Sequence, residues 1–182
     1  PARESRFLFI LFSGDALRKK LDPPVFQRWK WAHHFAGHCL YVSDPSLYLY
    51  EKLGLAWYAG TSNFDPAPVI ASVVNRFASQ LEIEEHHIWT YGSSGGGFAA
   101  LRMLEFLPKA GAVAINPQTN ILSYSAKSVE LFLRVCFEGR SRARALQEFP
   151  HRLSLLNNPV TFQGRPIIYL QNTLDTHHYY DH

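Results

Sequence analysis

The sequence predicts an α/β domain built on a mostly parallel sheet, with helices on both faces. Apolar runs of strand length alternate along the chain with segments of helical period. The first of these runs is continuously apolar, as in strands buried on both faces. Strand, helix, strand in repetition implies right-handed crossovers and parallel pairing. At 182 residues the chain suits one domain and is short for two, so residues 1–182 are read as a single unit.

Residues 6–13 are the first apolar run and the first expected strand. Residues 24–36 read as a helix, with Pro24 near its start and Gly37 just past its end. Residues 38–43 give the second strand, stopped by Asp44-Pro45, and residues 61–68 a loop rich in Asn, Asp and Pro. Val69, Ile70, Val73, Val74, Phe77 and Leu81 then recur at helical spacing. The third strand is expected at 87–91, a helix at 95–107 and a short fourth strand at 112–115. Residues 124–137 look helical through Val129, Phe132 and Cys136. A polar stretch with Arg140, Arg142 and Arg144 leads to a fifth strand at 166–170.

Composition narrows the function classes. Hydrophobic residues make up 47% and charged residues 18%, which excludes a disordered chain. The net charge is 18 − 15 = +3, with Lys and Arg scattered apart from short knots at 18–20 and 140–144. A nucleic-acid binder concentrates such charge on one face, so no nucleic-acid partner is expected. No apolar stretch has the length of a membrane span. The run after Arg3 and Arg6 is too short for a secretory leader, and Ser13-Gly14-Asp15 follows it without a cleavage site. Cys39 and Cys136 sit in apolar surroundings and read as reduced thiols, so a cytoplasmic protein is expected. Because the sequence opens on Pro1, it is read as an excised or processed piece of a longer chain. No motif speaks to oligomeric state.

Chemistry concentrates in residues 88–102, IWTYGSSGGGFAALR. Gly92, Ser94 and Gly96 form G-x-S-x-G directly after a predicted strand and directly before a predicted helix, the context that motif requires. A serine on such a turn is strained and exposes its hydroxyl. Small residues two before and two after give the turn room. The next amide, that of Gly95, points with the helix N-terminus at any oxyanion. Two other readings fit the glycines. One is a tight packing turn. The other is a nucleotide site, since Gly95, Gly97 and Ala100 have G-x-G-x-x-A spacing, but the next strand runs into Asn116-Pro117-Gln118-Thr119-Asn120 without the expected carboxylate. A phosphate loop is excluded, because no Gly-Lys-Ser/Thr follows.

Residues 91–101, with 114–120 (AINPQTN) and 41–60 (including Ser43-Asp44-Pro45 and Trp57-Tyr58-Ala59-Gly60), resemble the α/β-hydrolase superfamily. Within it they look like an uncharacterised bacterial branch with a Y-G-S-S-x-G-G elbow, often associated with cell-surface glycan genes. The resembling stretches cover about half the chain, in the right order. The resemblance implies Ser94 as nucleophile and a second oxyanion donor from the loop after an early strand. Ser13-Gly14-Asp15 occupies that place, with Gly14 permitting close approach and the Asp15 amide as donor beside that of Gly95. An ordinary strand-end turn is the competing reading.

The superfamily order is serine, acid, histidine. Asp175 matches the acid, at the end of the one later strand that has a carboxylate. The histidine should follow a further strand, yet the sequence stops at His182, as in a chain truncated at its C-terminus. Either the base lies in the tail, with His178 first choice, or it lies in a missing segment. Asp-x-x-His spacing resembles the acid–base pair of SGNH esterases, although their Gly-Asp-Ser nucleophile is absent here. A third reading makes His177, His178, Asp181 and His182 metal ligands. His33, His34 and His38 read as surface histidines, and Trp57, Tyr58 and Phe98 as core residues or the lining of a cleft. The expected activity is that of a serine esterase or deacylase working through an acyl-enzyme on Ser94. It needs no cofactor, and its substrate would be a small-molecule or glycan ester. The alternative is a non-catalytic member of the fold that binds or assembles with a partner.

Overall fold

The computed structural model describes residues 5–175. Five strands, β1 (Leu8–Phe12), β2 (His38–Val42), β3 (Ile88–Ser93), β4 (Gly111–Ile115) and β5 (Ile167–Leu170), form one sheet in the order β2-β1-β3-β4-β5. Every neighbouring pair is parallel. Around the sheet lie α1 (Ala67–Gln80), α2 (Gly95–Arg102), α3 (Ala126–Cys136), α4 (Arg142–Glu148) and α5 (Pro150–Leu153). The α/β architecture expected from the alternating pattern is the observed one.

Strand alternation sets the layers. On β3, Ile88, Thr90 and Gly92 are buried while Trp89, Tyr91 and Ser93 are half-buried. The register aligns Leu8 and Ile10 of β1, and Ala112 and Ala114 of β4, with that buried face. Helix α2 lies against it, and the Thr90 hydroxyl donates to the Ala100 carbonyl at 2.8 Å. On the opposite face the Phe35 ring packs on Phe9 and Tyr91, with centroids 5.0 and 5.4 Å apart. An ion-pair pin joins three helices. Asp65, just before α1, accepts from Arg102 at the end of α2 at 3.0 Å, and Arg152 of α5 approaches it to 3.9 Å. Burial pushes the Asp65 carboxyl up, but the two guanidinium groups outweigh it and hold the group below the ordinary carboxylate range.

Three element predictions need correction. Residues 24–36 form no α-helix; only a 3-10 turn, Trp29–His34, is present, and none of its residues is buried. Arg28 before it adopts a left-handed φ of 59°. The segment has aromatic and histidine side chains but no apolar stripe to bury, so nothing stabilises a longer helix. Helix α2 stops at Arg102 and continues only as a 3-10 turn, Met103–Glu105. The polar stretch hides α4, which Ser141 caps through the Arg144 amide and Glu148 braces by ion pairs to Arg140 (2.7 Å) and Arg144 (2.6 Å). In α1 the spacing found the helix, though Ile70, Ala71, Val74 and Ala78 face the core while Val69, Val73 and Phe77 face outward. Among the described residues no helix is long and apolar enough to cross a membrane.

Candidate active site

The chain leaves β1 towards one edge of the sheet and β3 towards the other. The loops at their carboxyl ends therefore diverge, opening the crevice in which ligands of open parallel sheets bind. Ser94 and the Ser13–Gly14–Asp15 loop flank this crevice. Ser94 sits between β3 and α2 with φ 53° and ψ −125°, a conformation that a side chain strains. Its surroundings over-determine it. The Ser94 amide donates to Ile115 at 3.0 Å, and its carbonyl accepts from Phe98 at 3.1 Å and Gln118 at 3.4 Å. The turn is crowded as well as strained, since a Cβ on Gly92 would lie 2.1 Å from the Gly96 oxygen. The second loop comes into van der Waals contact with it: a Cβ on Gly14 would lie 3.9 Å from the Ser94 Cβ and 3.2 Å from the Ser93 oxygen. Gly95 opens α2, so its N–H is among those a helix start leaves without an intrahelical acceptor.

A buried frame holds the two loops in register, and the link of its members to Ser94 is not visible in the sequence. Gln118, fully buried, donates through Nε2 to Ser94 Oγ at 3.2 Å and accepts from the Trp57 indole through Oε1. Asp44 accepts the amides of Ser46 (2.9 Å) and Tyr58 (2.7 Å). The Tyr58 hydroxyl accepts from the Ser13 amide at 2.8 Å and donates to the Val42 carbonyl at 2.7 Å. Trp57 and Tyr58 both take left-handed φ values, 52° and 55°, which aim one ring at Gln118 and the other at the loop after β1. Trp57, Tyr58 and Phe98 are thus core residues, not the lining of a cleft. Removing the Gln118 donor should slow a reaction at Ser94 without unfolding the chain. Gln118→Glu keeps the shape and the acceptor, and an expected loss of about tenfold in turnover, with KM little changed, checks this.

Asp44 yields a pH prediction. Burial pushes its carboxyl up to about 6, against the pull of two amide donors. A folded-state value above the unfolded one means the folded chain binds more protons between about pH 4 and 6. Stability therefore falls as pH rises through that window and levels off above it, by about 3 kcal/mol from this group. In denaturant titrations from pH 4 to 7, Asp44→Asn should lack that falling limb relative to the parent chain. An identical limb in the variant assigns it to another group.

The acid candidate reaches the neighbouring strand end. Asp175 follows β5, and its Oδ2 lies 3.4 Å from Asn116 Nδ2; Asn116 Oδ1 in turn accepts the Asn172 amide at 2.7 Å. Tyr124, edge-on to Trp57 with centroids 5.8 Å apart, has its phenol pushed up first by burial and then by the charges of Asp15 and Asp175. His178 lies outside the described residues, as do His177, Asp181 and His182. Among the described residues no group of three His, Cys, Asp or Glu side chains could hold a metal ion. The structure thus brings Ser94, Gly95 and the Asp15 loop to one crevice and sets Asp175 at the adjoining strand end. A cavity of about 1120 Å³ opens beside Asp15, lined by Arg18, Lys52, Leu55, Lys127 and Arg134 among others, and Leu55 packs against Gly95.

No family model matches the chain, and no curated protein does. Solved structures do. One is the Glycosylation Associate Protein (Gap123) complex from Streptococcus agalactiae, at TM-score 0.65 and 10% identity over 91% of this chain. The chain spans 31% of that protein's length. Another is the capsule O-acetyltransferase of Neisseria meningitidis serogroup A, at TM-score 0.63 and 14% identity over 96% of this chain and 70% of the other. At such identities what is shared is the fold, and these neighbours establish this chain as an α/β protein of their architecture.

Proposed function

We propose that the chain is an acyl-transfer enzyme of the serine type, resembling the α/β-hydrolases, that works on an ester of a saccharide. The observation behind this reading is the backbone of Ser94, a strained non-glycine residue that a strand, a helix and a second loop all hold in place at the crevice. The acetyltransferase and glycosylation titles of the two structural neighbours are compatible with acyl chemistry on glycans.

In this reading Ser94 Oγ attacks the acyl carbonyl carbon and gives its proton to a histidine, with His178 the first choice and Asp175 orienting the imidazole. The carbonyl oxygen becomes an oxyanion held by the amides of Gly95 and Asp15. Its collapse expels the sugar alkoxide, which takes the proton from the imidazolium. Water or another sugar hydroxyl then attacks the acyl-enzyme and loses its proton to the same imidazole; collapse of the second oxyanion breaks the acyl–Oγ bond, and Ser94 Oγ takes that proton back from the imidazolium. The identity of that acceptor separates a hydrolase from a transferase.

Activity should rise with pH as the imidazole loses its proton. His178→Gln and Asp175→Asn should each remove most ester hydrolysis, while His177→Gln and His182→Gln should matter little. Ester hydrolysis by this chain, its His178→Gln variant and a chain that continues past residue 182 checks the assignment. Full activity in the longer His178→Gln chain sinks the choice of base and leaves Ser94 standing. Absence of fluorophosphonate labelling at Ser94 in every form would favour a binding protein instead.

A further inference from the structure

The segment that failed to become a helix presents two tryptophans to solvent, Trp29 at 61% and Trp31 at 48% exposure. Neither belongs to the core, so packing does not account for them. They line an open concavity of about 390 Å³ with Phe26, Gln27, Arg28 and Lys30. This concavity is wired to the crevice. Gln27 accepts the Gly14 amide at 2.9 Å through Oε1 and donates to the Asp15 carbonyl at 2.8 Å through Nε2. Arg28 donates to the Ser93 hydroxyl at 2.6 Å, one residue from Ser94, and its guanidinium stands 5.5 Å over the Trp31 ring. The Lys30 ammonium stands 5.6 Å from the Trp29 ring. Arg28 also takes the left-handed φ noted above, a strained value of the kind found at binding sites.

Charge identifies the occupant. From Pro23 to Ser43 the sequence contains no Asp or Glu, while it contains Arg28 and Lys30 and the exposed His33 and His34. Neither Arg28 nor Lys30 forms an ion pair among the described residues. Flat indole faces suit the C–H face of a pyranose ring, and uncompensated cations beside them suit a carboxylate or phosphate on that ring. We infer that Trp29, Trp31, Arg28 and Lys30 form a subsite for an acidic sugar at the rim of the Ser94 crevice. Resting on the reaction proposed for Ser94, this makes the acyl-bearing substrate an acidic glycan. A single-stranded nucleic acid also stacks on aromatic rings, but it needs a longer track of cations than two residues supply.

The test uses Ser94→Ala chain, which binds without turnover, and hexagalacturonate as the probe, followed by calorimetry. Saturable binding is expected, weakened about tenfold by Trp31→Ala or Trp29→Ala. Lys30→Gln should weaken it about fivefold, and neutral maltohexaose should bind at least fivefold less tightly. Melting temperatures should be unchanged, because the three varied side chains are exposed. No saturable binding overturns the subsite, as does binding indifferent to both tryptophans. Equal affinity for maltohexaose, or tighter tryptophan-dependent binding of a thymidine hexanucleotide, overturns it too. Fluorophosphonate labelling of the unaltered chain runs in parallel: labelling without sugar binding overturns the subsite alone. Sugar binding without labelling supports the subsite and overturns the reaction assigned to Ser94.

Discussion

Ser94→Gly is expected to melt higher than Ser94→Ala, while both lose fluorophosphonate labelling completely. The two variants lack the same hydroxyl and differ by a single Cβ. At most positions alanine is the more stable of the pair, because glycine loses more backbone freedom on folding. Here the order should reverse. With φ 53° and ψ −125°, a Cβ is what the backbone tolerates poorly, and the strain of about 1–3 kcal/mol exceeds the glycine entropy cost. The net gain of about 1 kcal/mol corresponds to about 2–4 °C in a chain of this size. Turnover should fall by about 10⁴-fold or more in both. Ser93→Ala, whose hydroxyl merely accepts from Arg28, should keep its labelling. If alanine proves the more stable variant, Ser94 is not held in the strained turn.

The second large effect concerns packing. Gly96→Val should cost about 4 kcal/mol or prevent folding, because its Cβ would lie 2.6 Å from the Phe12 oxygen and 3.0 Å from the Ser13 carbonyl carbon. Those are backbone atoms at the end of β1, which is hydrogen-bonded on both sides and has no room to retreat. Gly139→Ala provides the contrast. Its φ is 71°, yet nothing lies within 4 Å of an added Cβ, so only conformational strain of about 1 kcal/mol is expected. Urea unfolding of both variants measures the difference. Equal midpoints would falsify the close approach of α2 to β1.

Legibility in the sequence followed the range of the interactions. The strands were legible because each announces itself within a handful of neighbours, and the serine turn because its glycines are adjacent in sequence. Residues 24–36 misled because Pro24 and Gly37 are start and stop signals that mark a turn as readily as a helix when no apolar stripe lies between them. Helix α4 was hidden because caps and ion pairs, not an apolar stripe, define it. The frame around Ser94 was out of reach for a different reason. Asp44 acts on Tyr58, Tyr58 on Ser13, and Trp57 on Gln118 across gaps of 14, 45 and 61 positions. No local pattern distinguishes a glutamine aimed at a nucleophile from one in any loop. Asp175 was singled out only by the order that the α/β-hydrolase resemblance implies, and His178 falls outside the described residues.

The position of β1 also has a kinetic consequence. Strand β1 is an inner one, paired with β2 some 30 residues on and with β3 some 80 residues on, as Leu8 opposite His38 and Ile88 shows. Closing such loops before any contact rewards them makes folding slow. On the ribosome, the edge of Leu8–Phe12 that pairs with β3 stays open until β3 has emerged, several seconds at ordinary elongation rates of about 5–20 residues per second. During that wait it is an apolar segment with no charge inside it, the kind that pairs with other nascent chains. Arg6 just before it and Asp15 just after it are the charges placed to discourage that pairing.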